Sequence, residues 1–245
     1  METALIPPVG DEIHRRGNVL TKAIATGFLL LTGWRFEGKL PNLRKFVLIV
    51  APHTSNWDFP TGVMAMFALG LRGTFLGKDT LFRPPFGFIF RWLGGVPVDR
   101  FSKNNVVEQT IALFGARERM ILAISPEGTR KRIEKWRTGF YWVAVGAKVP
   151  IVPVAFDFPR KRFVIYEPQT MSGDAERDIA HLRSFFKASQ AYRPSFYVEC
   201  PRGPSQSVGR FVVFRARVWE NEQDARASSF RRRGRSGAPQ PSRRP

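Results

Sequence analysis

Short runs of apolar residues recur along the chain in the way expected of buried strands. A continuous apolar run of about four to eight residues, rich in Val, Ile and Phe, is typical of a strand that is covered on both faces. Four segments fit this description: 46–51 (FVLIVA), 120–125 (MILAIS), 151–156 (IVPVAF) and 162–167 (RFVIYE). A fifth, weaker candidate is 74–78 (TFLGK).

Segments with helical periodicity lie between or after these runs. They span residues 105–118, 138–147 and 174–192. Strands that alternate with helices favour a parallel sheet whose faces are covered by the helices. The sequence therefore predicts one α/β domain with a largely parallel sheet, covering residues 34–200.

The N-terminal segment, residues 1–33, predicts one further helix over 11–32. Asp11 is a suitable N-cap, and Gly33 is a suitable residue to end the helix. Because the first half is basic and the second half apolar, we predict an amphipathic, membrane-associating helix. A helix that simply packs on the domain is the alternative, and the pattern does not decide between them. The longest apolar stretch, 23–34, is about half of what a bilayer span requires.

The charge balance points to an anionic partner. Lys and Arg total 39 against 20 Asp and Glu, so the formal net charge is +19. Residues 201–245 hold 11 Arg and 3 acidic residues, and we expect this tail to be largely disordered. Nucleic acid, an anionic membrane and an acidic carrier protein would all suit such a charge. Cys200 is the only cysteine, which excludes an internal disulfide and a cysteine-based metal site.

The first candidate site follows the strand 46–51 and contains His53 and Asp58, in the sequence HTSNWD. Five helical steps turn by about 500°, so the two side chains cannot meet within one regular helix. They can meet if His53 lies in a loop and a helix begins near Ser55 or Asn56, which places Asp58 in its first turn. Asp58 would then hold the imidazole Nδ1–H and leave Nε2 as a general base. The alternative is a solvated loop histidine beside an aspartate that stabilises a helix start, and the spacing alone favours this alternative.

The second candidate is SPEGTR, residues 125–130, which directly follows the strand 120–125. Gly128 permits a tight turn, and the Arg130 guanidinium is suited to a phosphate. Glu127 is placed to orient Arg130 or to bind a hydroxyl group. An exposed charged turn is the alternative. The functional interpretation is favoured because this motif and His53 are predicted to lie at the same edge of the sheet, and binding sites form at the carboxyl ends of parallel strands.

Three further segments add weaker signals. GGVPVDR at 94–100 ends on Arg100, and by itself it suits a loop between a strand and a helix. VPIVPV at 149–154 predicts a strand of the sheet. DTLFRPPFGFIFRWL at 79–93 interleaves aromatic residues with arginine, which suits a bilayer interface, the bases of a single-stranded nucleic acid, or a protein core.

These four motifs, HTSNWD, GGVPVDR, PEGTR and VPIVPV in that order, resemble the glycerolipid acyltransferase family, and the lysophosphatidate acyltransferases in particular. The resemblance covers about residues 34–167. It implies an O-acyltransferase of phospholipid biosynthesis that uses acyl-CoA or acyl-carrier protein as co-substrate and needs no metal or other cofactor. It also implies a peripheral or monotopic protein on the cytoplasmic face of the membrane.

The resemblance assigns roles to individual residues. It implies that His53 is the general base and that Asp58 orients it. The acceptor phosphate site would comprise Glu127, Gly128, Thr129, Arg130, Arg100 and Lys78. The acceptor it implies is 1-acylglycerol-3-phosphate, which would yield phosphatidic acid.

Other functions stay open at this point. A different lyso-lipid, such as lyso-ornithine lipid, could replace the lysophosphatidate acceptor, and His53 with Asp58 would equally serve a thioester hydrolase. A basic nucleic-acid-binding protein is the non-enzymatic alternative, although no specific nucleic-acid-binding motif is present and we expect no specific nucleic-acid partner.

Overall fold

The computed structural model describes residues 2–98 and 106–199. In this part of the chain, one sheet of eight strands forms the centre of the fold. The strands in it are β1 (Thr3–Ala4), β2 (Arg35–Glu37), β3 (Lys45–Ala51), β4 (Gly73–Lys78), β5 (Gly95–Val98), β6 (Met120–Ile124), β7 (Ile151–Asp157) and β8 (Arg162–Ile165). Their order across the sheet is β1-β2-β8-β7-β3-β6-β4-β5.

Five adjacent strands of this sheet are parallel. They run in the order β7-β3-β6-β4-β5, whereas β8 pairs with β7 in the antiparallel sense. The prediction of an α/β domain with a largely parallel sheet is therefore confirmed. The buried strands of this set read as apolar runs because both of their faces are covered, and every residue of β7 is buried.

Within the described ranges, six α-helices accompany the sheet. They are α1 (Val19–Thr32), α2 (Asp58–Ala68), α3 (Gly87–Trp92), α4 (Val106–Ala116), α5 (Gly139–Ala147) and α6 (Ala175–Ser184). Short 3₁₀ helices lie at Asp79–Phe82, Ala188–Gln190 and Pro194–Phe196. The predicted tail at 201–245, and Arg100, lie outside the described residues.

The segment that contains GGVPV is a strand and not the loop that the sequence suggested. Residues of β5 pair with β4 in parallel, with Phe75 opposite Gly95 and Lys78 opposite Val98. Gly94 makes this pairing possible, because it has a φ of 97° and a Cβ there would lie 2.0 Å from the Gly73 carbonyl oxygen. Pairing with a distant strand is a contact that the local pattern does not reveal.

Helix α1 begins later than predicted. Its N-cap is Asn18, whose side chain accepts the Thr21 amide while the Thr21 hydroxyl accepts the Asn18 amide. Residues before this capping box pair with the chain near Gly70, since the Arg16 amide donates to the Gly70 carbonyl at 2.8 Å. The prediction that Asp11 starts the helix is therefore wrong. Gly33 ends the helix in the left-handed conformation with a φ of 78°, as predicted.

The helix predicted over 174–192 is also shorter than expected. It ends at Ser184, and Phe186 turns inward to pack at 5.6 Å between ring centroids against the buried Trp136. The chain then continues through the two 3₁₀ helices at 188–190 and 194–196. Residues 185–199 thereby form an irregular segment that lies against the sheet domain.

Helix α1 is apolar on two opposite sides. Ala25 and Leu29 are buried in the main core, whereas Leu20, Ile24 and Leu31 are 66%, 60% and 91% exposed. These three exposed residues follow the spacing of one helical stripe. The predicted amphipathic character is thus not confirmed, because the solvent side of α1 carries large apolar side chains. Among the described residues, no helix is long and apolar enough to cross a membrane.

Candidate active site

Two loops that carry candidate residues meet at the carboxyl edge of the parallel strands. Strands β3 and β6 are neighbours, with Ile49 paired to Ile124 near their carboxyl ends. The chain leaving β3 reaches His53, and the chain leaving β6 reaches Glu127. Because both strands run in the same direction, the two loops emerge side by side.

His53 and Asp58 are in direct contact. The His53 Nδ1 atom lies 2.8 Å from Asp58 Oδ2, and Asp58 is only 3% exposed. Asp58 is the first residue of α2, so the loop histidine and the helix start meet as the sequence analysis required. The N-cap is Trp57, however, and neither Ser55 nor Asn56 caps the helix. The Ser55 amide instead donates to Asp58 Oδ2 at 2.9 Å, which fixes the carboxylate in place.

This arrangement can support proton transfer. An Asp58 carboxylate that accepts from Nδ1–H holds the neutral imidazole in the tautomer whose Nε2 lone pair is free. The His53 side chain is 23% exposed, so its ring is open to a reactant from solvent. The Oδ1 atom of Asp58 is buried and has no hydrogen-bond partner among the described residues.

Glu127 holds the main chain of His53. Its Oε1 atom accepts the His53 amide at 2.7 Å, and the residue is 2% exposed. Burial raises the pKa of Glu127 to about 7; the nearby Asp58 acts in the same direction, whereas the His53 amide and Arg183 oppose it. A neutral Glu127 still accepts the amide through its carbonyl oxygen.

The turn after Glu127 brings Arg130 to the loop of His53. The Gly128 amide donates to the Ser125 carbonyl at 3.1 Å. The Gly128 backbone has a φ of 63°, in the left-handed region. A Cβ at Gly128 would lie 2.7 Å from Arg137 Cδ, so the turn needs glycine for its space as well as its conformation. The Arg130 guanidinium donates to the Asn56 side-chain oxygen. Two arginine side chains thus lie at the turn. Arg130 contacts the His53 loop through Asn56, and Arg137 lies beside Gly128.

The other described residues of the predicted phosphate site, Thr129 and Lys78, make no described hydrogen bond to the His53 loop. Thr129 is half-buried, and its hydroxyl accepts the Lys131 amide at 3.3 Å. Lys78 ends β4 and is exposed, and its ammonium makes no hydrogen bond or ion pair with the residues that the structure describes. The assigned roles of all these residues stay predictions.

Residues that the sequence analysis missed border the same loops. The Arg193 amide donates to the hydroxyl of Thr54 at 3.1 Å, directly beside His53. Arg183, from α6, is close enough for its charge to lower the pKa of Glu127. No motif marks either arginine, because Arg183 lies on α6 and Arg193 lies in the irregular segment 185–199, both outside the four motifs.

Within residues 2–98 and 106–199, no group of three or more His, Cys, Asp or Glu side chains is arranged to hold a metal ion.

Comparison with known proteins places this geometry in a family. A family model described as Acyltransferase matches residues 35–157, which is half of the chain. Two curated relatives are both 1-acyl-sn-glycerol-3-phosphate acyltransferases. The one from Haemophilus influenzae is 28% identical over 134 residues, covering 51% of this chain and 54% of the relative. The one from Streptococcus pneumoniae is 29% identical over 143 residues, covering 54% and 53%.

The chain therefore spans about half the length of the curated relatives it matches. A solved structure agrees on the fold. The 1-acyl-sn-glycerophosphate acyltransferase PlsC from Thermotoga maritima superposes with a TM-score of 0.50 at 18% identity, covering 68% of this chain and 75% of that protein. The motifs around His53 and Glu127 lie inside the matched region. This protein belongs to the glycerolipid acyltransferase family.

Proposed function

We propose that this protein transfers a fatty acyl group from a thioester to the hydroxyl group of a lysophospholipid, 1-acylglycerol-3-phosphate being the favoured acceptor. The observation that carries the proposal is the double fixation of His53. Its ring is held by Asp58 at 2.8 Å and its main-chain amide by Glu127 at 2.7 Å. A histidine held at both points has a fixed direction for its free Nε2 atom.

The proposed reaction uses this atom as a base. Nε2 takes the proton from the acceptor hydroxyl while the oxygen attacks the thioester carbonyl carbon. The tetrahedral intermediate collapses with cleavage of the carbon–sulfur bond, and the imidazolium returns its proton to the thiolate. The products are a new ester and a free thiol. General-base catalysis of this kind contributes about 10²- to 10⁴-fold to the rate.

The acceptor phosphate is proposed to bind near Arg130. This guanidinium is anchored to Asn56, three residues from His53, which suits an acceptor whose phosphate and reacting hydroxyl share a short glycerol unit. The names of the two curated relatives support lysophosphatidate as that acceptor. Acyl-CoA and acyl-carrier protein are the proposed donors, and the proposed chemistry passes through protein side chains alone.

The proposed place of action is a membrane surface. The exposed stripe of Leu20, Ile24 and Leu31 offers apolar side chains to lipid, and Phe88 and Trp92 of α3 are 70% and 53% exposed. Arg16 lies 4.8 Å from the centre of the Trp92 ring and so joins the start of α1 to α3. Apolar side chains next to cations suit an anionic bilayer. Location on the cytoplasmic face stays a prediction.

We expect His53→Ala to abolish acyl transfer without unfolding the protein. The variant removes the proposed base, and His53 is partly exposed, so the core is unaffected. The measurement is formation of diacyl product from palmitoyl-CoA and lysophosphatidate, with a loss of about 10²-fold or more. His181→Ala is the matched control, since His181 is an exposed histidine on α6 that contacts Gln169.

Two outcomes would contradict the proposal. One is a folded His53→Ala protein that retains wild-type transfer. The other is wild-type protein that releases free fatty acid at the same rate with and without acceptor, which would identify a thioester hydrolase.

We expect the exposed stripe of α1 to control membrane binding. Replacement of Leu20, Ile24 and Leu31 by Gln should weaken flotation with phosphatidylglycerol vesicles by about tenfold or more, because apolar burial in lipid is lost. Thermal stability should change little. Leu29→Ala is the contrasting variant. Because Leu29 is buried, its replacement by alanine should lower the unfolding free energy by about 2–5 kcal/mol. Unchanged flotation of the triple variant would refute the proposal that this stripe of α1 binds the membrane.

The raised pKa of Glu127 predicts a specific pH dependence of stability. The carboxyl releases its proton near pH 4.5 when unfolded but near pH 7 when folded. The unfolding free energy should therefore fall as pH rises from about 4.5 to about 7, by about 3 kcal/mol. Glu127→Gln cannot ionise and still accepts the His53 amide, so this part of the pH dependence should vanish.

Urea unfolding at a series of pH values measures this effect. Glu167→Gln, which alters an exposed carboxyl group, is the control and should follow the wild type. Identical pH profiles for the wild type and Glu127→Gln would show that Glu127 titrates normally.

A further inference from the structure

We propose that Arg132, Arg183 and Arg193 form a binding site for the phosphate groups of an adenine-nucleotide-linked thioester, acyl-CoA, separate from the acceptor site at Arg130. This inference rests on the proposed function and identifies where its donor binds. We refer to these three residues as the donor-site arginines.

All three guanidinium groups are arranged by the same short stretch of chain, residues 193–198. Arg132 Nη1 donates to the Ser195 carbonyl at 3.4 Å, and Arg183 Nη2 donates to the Val198 carbonyl at 3.0 Å. The Arg193 guanidinium lies 5.6 Å from the centre of the Phe196 ring. Carbonyl and ring contacts of this kind orient a guanidinium without neutralising its charge.

The stretch is joined to the reacting residue. The Arg193 amide is bound to Thr54, the neighbour of His53, at 3.1 Å. Arg130 is bound to Asn56, on the other side of Thr54 in the same loop. The His53 loop is therefore joined both to Arg130 and to the stretch that contacts the donor-site arginines.

Among residues 2–98 and 106–199, no carboxylate lies within ion-pair distance of the donor-site arginines, and Glu127 interacts with Arg183 only from further away. Glu199, the acidic residue of the adjoining chain, accepts the Ala188 amide at 2.6 Å instead. The Arg183 Nε atom is buried and lacks a hydrogen-bond partner among the described residues. A buried, unpaired guanidinium donor is costly, and an anionic ligand would satisfy it.

The number of charges indicates the ligand. A lysophosphatidate carries one phosphate, for which Arg130 is already placed. Three further arginines suit a ligand with several phosphate groups, and the pyrophosphate and ribose phosphate of CoA supply them. Arginine is the residue whose planar donors match phosphate oxygens in pairs.

Exposed aromatic rings beside the arginines favour a nucleotide over an acidic protein. Tyr192 is 48% exposed and Phe196 is 36% exposed, and they flank Arg193 in the chain. An adenine ring can stack on such side chains while its phosphates contact the guanidinium groups. A carrier protein would present carboxylates and no base to stack.

The test compares donors that differ only in their phosphates. Arg132→Gln keeps a donor for the Ser195 carbonyl, Arg193→Gln keeps a polar side chain beside the Phe196 ring, and both remove the charge. For each variant, the ratio of kcat/KM with palmitoyl-CoA to kcat/KM with palmitoyl-pantetheine should fall by about tenfold or more. Arg119→Gln is the matched control, because Arg119 is half-buried, directly precedes β6 and donates to the Asp11 carbonyl. Its ratio should equal that of the wild type.

A second arm measures binding of CoA and of pantetheine by calorimetry and requires no catalysis. CoA binding that weakens by about tenfold or more in Arg132→Gln and Arg193→Gln, but not in Arg119→Gln, supports the donor site even if no acceptor is acylated. The donor site would be overturned if the variants lowered kcat/KM equally with palmitoyl-CoA and palmitoyl-pantetheine. It would also be overturned if the variants left CoA binding unchanged. An increase confined to the KM for lysophosphatidate would instead assign these arginines to the acceptor.

Discussion

The hydrogen bond from the His53 amide to the buried Glu127 carboxyl is the contact on which the site depends. It joins the loop after β3 to the loop after β6, and no other described hydrogen bond connects the His53 main chain to the second loop. Its existence requires β3 and β6 to pair in the observed register, with Ile49 opposite Ile124. A shift of one residue would exchange the buried and outward faces of the strand.

Asp58 completes the fixation from a third element. Because α2 begins at Asp58, its carboxylate lies below the loop and receives both the His53 ring and the Ser55 amide. The site thus combines a strand end, a helix start and a neighbouring strand end. Burial of two carboxyl groups around one histidine is costly for folding, and the raised pKa of Glu127 expresses that cost.

Much of this architecture could be predicted from local pattern. The runs at 46–51, 120–125 and 151–156 are strands because they are apolar throughout, and the loops after the first two carry the candidate chemistry. The spacing of His53 and Asp58 allows the two side chains to be in contact, but it does not by itself predict that they are. Whether the two meet depends on where α2 starts, and the N-cap at that start is Trp57, which provides no capping side chain.

Features that depend on long-range contacts could not be predicted. The pairing of β5 with β4 and the end of α6 at Ser184 involve contacts with distant residues. The start of α1 is different, because its capping box of Asn18 and Thr21 is a local signal that the sequence analysis did not use. The segment 185–199 is the most consequential part of the fold that the local pattern did not reveal, because it brings Arg193 to the His53 loop. A net charge of +19 gave no indication of this placement. In the fold, part of that charge lies around the site, where it would attract anionic lipids and phosphorylated thioesters.

The central claim is that Asp58 holds His53 with its proton on Nδ1 and leaves Nε2 free. Nitrogen NMR of histidine-labelled protein, at a pH where the imidazole is neutral, measures this directly, with His53→Ala to assign the signal among three histidines. The account predicts a protonated Nδ1 and an unprotonated Nε2 for His53. A neutral imidazole with its proton on Nε2 would contradict it, since that nitrogen could not then accept a proton from an acceptor hydroxyl.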